Sequence, residues 1–192
     1  MNALNTFEIG ILDFIQDHLG CAFLDKAMPI VTLLAEGGIF WITVAVAMLF
    51  FKSTRKTGLT IGMALVMGLL VCNVTLKPLV GRIRPYDVNT SFPLLVDRLS
   101  DYSFPSGHTL ASFEAAVTLM ICDRRRFGYA ALALAFLVAF SRLYLYVHYP
   151  TDVLMSIILG TLFALLSYFA VNALYFAVNA LYKKFAPTKS EL

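Results

Sequence analysis

Charge is what this 192-residue chain has least of. Lys and Arg number 15 and Asp and Glu 12, together 14% of the residues, against about 25% in an average soluble domain. Hydrophobic residues reach 59%, where about 45–50% is usual. So little polar surface cannot cover a water-soluble globule, and so apolar a chain does not stay disordered. Cysteine is scarce as well. Cys21, Cys72 and Cys122 are the three in the chain, too few for a secreted disulfide scaffold and without metal-ligand spacing. Cys72 and Cys122 lie in or beside apolar runs and read as small hydrophobes. The net charge of +3 gives no reason to expect a nucleic-acid partner. A cleavable signal is not expected either, since Glu8 and Asp13 stand where such a signal carries Lys or Arg.

What is there is long apolar sequence. Leu59–Leu76, Gly128–Phe140 and Val153–Tyr182 hold no charge, and the charges gather in Lys52–Lys56, Lys77–Asp101, Cys122–Arg126 and the tail from Lys183. Lipid imposes this segregation, because a charge at mid-bilayer costs at least ~2.5–3.5 kcal/mol. The pattern predicts an all-α, polytopic membrane bundle of five to six helices, a single domain over residues 1–192. Its first element, Thr6–Leu19, sets Phe7, Ile11, Phe14 and Ile15 at helical spacing with Glu8, Asp13, Gln16 and Asp17 largely elsewhere. It is predicted to be an amphipathic helix at the membrane interface. The spans follow at about Pro29–Phe51 (one kinked helix or two, given Glu36-Gly37-Gly38), Leu59–Leu76, His108–Ile121, Gly128–Val147 and Thr151–Leu181. The last is roughly 46 Å long at 1.5 Å per residue, more than a ~30 Å hydrocarbon core needs. A tandem repeat, FAVNALY at Phe169–Tyr175 and again at Phe176–Tyr182, accounts for the excess. It reads as a tolerated duplication or as a polar stripe through Asn172 and Asn179.

Five spans put Lys52–Lys56, Arg124–Arg126 and Lys183-Lys184 on one side, cytoplasmic by the positive-inside rule. The loop Lys77–Ser106 and the turn around His148 then share the outer face. There three polar clusters meet: Lys77 with Arg82 and Arg84; Ser106-Gly107-His108 at a helix start; and Ser141-Arg142, His148 and Asp152. A lysine point charge, guanidinium forks and helix-start amides are what phosphate oxygens require. Two imidazoles and a carboxylate beside them suit phosphoryl transfer.

These residues carry a resemblance. Lys77 to Arg84-Pro85 fits K-x6-R-P, residues 105–108 read PSGH, and residues 141–152 fit S-R-x5-H-x3-D. In this order the motifs resemble the type 2 phosphatidic acid phosphatase (PAP2) superfamily, which includes membrane lipid phosphatases and soluble vanadium haloperoxidases. The apolar spans fit the membrane branch. The resemblance implies that His148 attacks phosphorus, forming a phosphohistidine, while Asp152 holds the other ring N–H. His108 protonates the leaving oxygen and then activates water. Lys77, Arg84 and Arg142 bind the phosphate, with Ser106 and Gly107 adding hydrogen bonds. It implies no metal and no other cofactor.

Arg82 stands outside the signature and is read as a ligand for a second phosphate or for lipid headgroups. Glu36 and Glu114 are carboxylates in apolar runs, Glu114 being a partner for a site cation, a structural hydrogen-bonder or a protonated group. The substrate expected is a lipid phosphate at headgroup level in the plasma membrane, undecaprenyl diphosphate first, phosphatidylglycerophosphate or phosphatidic acid next. The rival reading is a lipid transporter or binding protein on the same fold. Oligomeric state is left open.

Overall fold

A computed structural model describes residues 3–122 and 124–185; Asp123, in the basic tract, lies outside them. All regular structure among the described residues is helical. Helix α1 (Ala3–Leu19) leads into α2 (Ala22–Leu33), and α3 (Ile39–Leu49) follows a 3-10 turn at Glu36–Gly38. The candidate first span is therefore two helices. The break falls at Gly37 and Gly38, whose φ of 56° and 69° lie in the left-handed region that glycine enters without steric cost. Helix α4 (Arg55–Gly68) continues as a π-helix over Leu69–Leu76 into the short α5 (Lys77–Val80), and one turn, α6 (Pro85–Val88), precedes the long polar loop. Helices α7 (Gly107–Ile121), α8 (Arg125–Tyr144) and α9 (Pro150–Phe185) complete the bundle. With α2–α3 and α4–α6 each taken as one broken helix, this is the expected bundle with its N-terminal helix.

Among the described residues, four helical stretches are long and apolar enough to cross a membrane: Ala22–Leu49, Arg55–Val88, Arg125–Tyr144 and Pro150–Lys184. Helix α7, expected as the third span, has 15 residues, about 22 Å. It is the central helix, buried along Thr109, Ser112, Phe113, Ala116 and Leu119 and packed mainly between α8 and α9. Other helices give it the surroundings that lipid gives the rest. Small residues permit the close packing. A Cβ at Gly160 of α9 would lie 2.8 Å from the Leu110 carbonyl of α7, so only glycine allows this crossing. Trp41 of α3 donates its indole N–H to Ser112 Oγ (3.0 Å), and Ile61, Ala135 and Val153 close the core around α7.

The two ends of the bundle differ as the alternation of spans predicts. At one end the Arg124 guanidinium donates to the Ser53 carbonyl and Lys56 Nζ donates to Asn172 Oδ1 (2.5 Å). Asn172 of the first FAVNALY copy thus fastens α9 to α4, whereas Asn179 of the second copy is exposed on a helix end that projects past the bundle. Lys77, His108, Arg142 and His148 sit at the other end.

Helix α1 divides its apolar residues between two sides. Ile15, Leu12 and Ile9 are buried, but so is Glu8, while Leu4, Phe7 and Phe14 are exposed, Phe7 by 68%. Two more of its polar side chains turn inward, while Asp17 is exposed: Asp13 accepts from the Tyr146 hydroxyl (2.6 Å), and Gln16 donates to the Tyr144 carbonyl. Its outward rings face where an interfacial helix meets lipid.

Candidate active site

Each site residue sits in a turn or in the first or last turn of a helix. Lys77 begins α5 as the π-helix ends, and Arg84 precedes Pro85, which holds it in extended conformation (φ −74°, ψ 152°). Gly107 and His108 open α7, whose first amides lack carbonyl partners in the helix. His148 lies in the tight turn between α8 and α9. Tyr146 in that turn has φ 59°, a strained conformation for a residue with Cβ, and its hydroxyl is tied to Asp13 and to Asn89 (3.0 Å).

The structure brings Lys77, Arg84, Gly107, His108, Arg142 and His148 onto the wall of one cavity of about 980 Å³. Arg84 is locked from behind. Its Nε donates to the Asp101 carbonyl (2.8 Å) and Nη1 to the Val147 carbonyl (2.7 Å), which leaves Nη1 3.3 Å from His148 Nε2. Arg142 is buried, its Nη1 spent on Thr32 Oγ1, while Nε and Nη2 have no partner among the described residues. Arg142 also lines the cavity, and two buried guanidinium donors without a partner cost several kcal/mol unless an anion reaches them.

His148 is buried with Nδ1 turned to Asp152 Oδ2 at 3.6 Å, so Nε2 faces the cations. Burial, then the charges of Arg84, Arg142 and Lys77, push its imidazole well below the ordinary value, so the ring is neutral and nucleophilic at neutral pH. At 3.6 Å from Asp152, Nδ1 makes no hydrogen bond, and Asp152 is fixed by three other groups that donate to it: Ser103 Oγ (2.5 Å), the Tyr149 amide (3.0 Å) and Arg82 Nη1 (2.5 Å). His108 presents Nε2 to Glu36 Oε2 at 3.1 Å.

For three candidates the structure narrows the reading. Arg82 does not reach the cavity wall; it lies on the far side of Asp152, bonded to Asp152, Thr151, Asn5 and Glu8. A short polar loop between two signature cations offered no sequence signal of that direction. The Ser106 hydroxyl caps α7, meeting Thr109 Oγ1 at 3.0 Å, the N-cap role its residue type favours, and is not part of the cavity wall. Glu114 contacts no site cation: its carboxylate lies against Gly68, where a Cβ would be 2.2 Å from Oε1, which has no hydrogen-bond partner among the described residues.

Residues that sequence reasoning passed over also line or brace the site. Asp101 pairs with Lys77 and with Arg84 Nη2 (2.5 Å), Ser103 holds Asp152, and Asn73 lines the cavity beside Gly107. Below these polar groups the wall is apolar, running along Ile42, Val46 and Leu49 of α3 and Leu59, Met63 and Val66 of α4. Among the described residues, no three His, Cys, Asp or Glu side chains come together as metal ligands.

The arrangement is a helical bundle with apolar, span-length helices that sets a histidine and three cations at one end of a largely apolar cavity, with a carboxylate behind the histidine. Residues 57–176 match the sequence model of the PAP2 superfamily, and the chain belongs to that superfamily. It is 35% identical over 127 residues to an undecaprenyl-diphosphatase of Sulfolobus acidocaldarius, covering 66% of this chain and 61% of that protein. It is 30% identical over 144 residues to the undecaprenyl-diphosphatase BcrC of Bacillus subtilis, 73% of each chain. The chain thus spans about three fifths of the length of the first of these relatives. Among solved structures, a transmembrane PAP2-type phosphatidylglycerolphosphate phosphatase from Bacillus subtilis superposes with a TM-score of 0.71 at 27% identity, over 93% of this chain and 89% of that one.

Proposed function

We propose that this protein is a membrane lipid phosphatase that hydrolyses undecaprenyl diphosphate to undecaprenyl phosphate and phosphate through a phosphohistidine, at the extracytoplasmic face of the plasma membrane. The observation that carries the reading is His148 on one cavity wall with Lys77, Arg84 and Arg142, Arg84 Nη1 lying 3.3 Å from its Nε2. Lys77, Arg84 and Arg142 hold the oxygens of the terminal phosphate, and their hold tightens as charge builds in the transition state. The neutral His148 Nε2 attacks phosphorus, the bond from phosphorus to the bridging oxygen breaks, and His108 gives its proton to that oxygen. Undecaprenyl phosphate leaves. Asp152 takes up the positive charge developing on His148 through Nδ1. His108, now a base, draws a proton from water, which attacks the phosphohistidine; the phosphorus–nitrogen bond breaks and phosphate departs.

The apolar wall along α3 and α4 favours a long tail, and the undecaprenyl-diphosphatase relatives support that tail class. The outer location rests on the basic residues Lys52–Lys56 and Arg124–Arg126 at the bundle's opposite end. The structural likeness to the phosphatidylglycerolphosphate phosphatase favours that headgroup as the second reading. Phosphate release by purified protein in detergent, from undecaprenyl diphosphate, phosphatidylglycerophosphate and phosphatidic acid in parallel, decides between them. The first substrate is expected to give the highest kcat/KM. A preference for either monophosphate ester refutes the diphosphate reading, and a His148→Ala protein with full activity refutes the enzyme.

A further inference from the structure

Helix α1 carries a buried carboxylate that the hydrolytic scheme leaves unused. Glu8 is 1% exposed. Its Oε1 accepts from the Thr151 amide (2.8 Å) and hydroxyl (2.6 Å), at the first turn of α9. Its Oε2 accepts from Arg82 Nη2, and the same guanidinium donates through Nη1 to Asp152 Oδ1 at 2.5 Å. Asn5 of α1 adds an acceptor for Nη2 (2.8 Å), and the guanidinium carbon lies over the Tyr149 ring, 3.8 Å from its centre. One cation is thereby shared between two buried carboxylates, and Asp152 is the one that faces His148.

Resting on the phosphatase reading above, we infer that Glu8, acting through Arg82, is a positioning residue for the reaction, so that the N-terminal helix forms part of the catalytic apparatus. Two effects follow from the geometry. Arg82 fixes Asp152 Oδ1, which aims Oδ2 at the nucleophile. Glu8 draws part of the guanidinium's charge away, so Asp152 keeps the negative charge it needs to stabilise the imidazolium formed when His148 attacks. Replacing Glu8 by a neutral residue concentrates Arg82 on Asp152 and weakens that stabilisation. Removing Arg82 sets two buried carboxylates against each other with no cation between them. Neither residue touches Lys77, Arg84 or Arg142, so phosphate binding is left to those three. The outward Leu4, Phe7 and Phe14 hold α1 in lipid and Glu8 in register with α9.

The test uses the full chain in detergent, with farnesyl diphosphate as a dispersible polyprenyl diphosphate and inorganic phosphate as the binding probe. Glu8→Gln is expected to lower kcat by about 10- to 100-fold, the range for the outer partner of a functional histidine. KM and the inhibition constant of phosphate are expected to stay within about twofold, the mark of an interaction made in the transition state. Arg82→Lys is expected to retain more kcat than Arg82→Gln, because an ammonium still bridges the two carboxylates. A wild-type kcat in Glu8→Gln overturns the inference. So does a kcat loss matched by an equal loss of phosphate inhibition, the sign of a site that has merely collapsed. Glu8→Asp, which keeps the charge on a shorter stem, guards against misfolding of the amide variant: it is expected to fold and to lie between wild type and Glu8→Gln, and an Asp variant as slow as Glu8→Gln overturns the inference. An inactive wild type, or a His148→Ala protein that is equally fast, overturns the phosphatase reading and the inference with it. An active wild type beside an unaffected Glu8→Gln overturns the inference alone.

Discussion

Replacing Asp101 with asparagine is expected to tighten phosphate binding, although it removes a contact from the site. Asp101 sits on the loop before α7 with its carboxylate against Lys77 and Arg84, two of the cations that receive the substrate's phosphate in the proposed scheme. A carboxylate there stands in for phosphate oxygens, and an incoming phosphate has to displace it. Partial burial pushes this carboxyl up, but the Lys77 ammonium and then the Arg84 guanidinium more than offset that, holding it at about 2 against an ordinary 3.8. At about 1.4 kcal/mol per unit the interaction amounts to roughly 2.5 kcal/mol. Because the side chain is 50% exposed, solvent screening reduces this to about 1 kcal/mol. The neutral amide competes less, so the inhibition constant of inorganic phosphate is expected to fall about fivefold in Asp101→Asn. The assay is inhibition of farnesyl diphosphate hydrolysis by added phosphate at neutral pH, at fixed ionic strength because both contacts are open to screening. A rise in the inhibition constant refutes the reasoning: Asp101 would then be organising Lys77 and Arg84 for the phosphate rather than occupying their place.

Three further outcomes are expected. His148→Ala loses phosphate release by at least about a thousandfold, since the variant lacks the proposed nucleophile; trapping of label from a terminally 32P-labelled diphosphate on the wild type, and none on the variant, checks the step directly. Arg142→Ala removes two open donors and raises the phosphate inhibition constant by about tenfold or more, at ~1.5–3 kcal/mol per charge-assisted bond, while Arg142→Lys restores only part because an ammonium cannot match the fork. The pH dependence follows from His148, faced by Arg84, Arg142, Lys77 and Asp152. Its folded value is pushed down by burial and then by the three cations, whereas the unfolded chain takes up the proton near 6.5. Unfolded protein therefore binds more protons below that pH, and stability of the unliganded protein falls as pH drops through 6.5. The acid limb of kcat/KM is expected below 6.5; a thermal melt flat across that range, or an acid limb at or above it, contradicts the assignment.

The sequence was most legible where one kind of physics governs alone. Lipid forbids stray charge, so the charge-free runs located the long helices, and the glycines at Gly37 and Gly38 marked the break between α2 and α3. The signature residues were legible because phosphate chemistry restricts them to a few side-chain types at set spacings. Facing was harder to read. On α1 the spacing of Phe7, Ile11, Phe14 and Ile15 predicts an amphipathic helix at the membrane interface, but it does not say which of them pack on the protein: Ile15 is buried, whereas Phe7 and Phe14 face outward. That freed the inner side for Glu8, Asp13 and Gln16, whose partners Arg82, Tyr146 and the Tyr144 carbonyl are more than seventy residues away in the chain. Arg82 shows the same limit from the other side. Its neighbours Lys77 and Arg84 point into the cavity, and nothing in a run of six intervening residues says that the guanidinium between them faces backwards. Its direction is fixed by two carboxylates on α1 and α9 that meet only in the folded bundle. Asp101 and Ser103 were invisible for a related reason: a loop has no periodicity, so the contact that makes each of them matter exists only once α7 is in place. What one stretch of chain must avoid could be read locally, whereas what two distant stretches do to each other became readable only when the helices were packed.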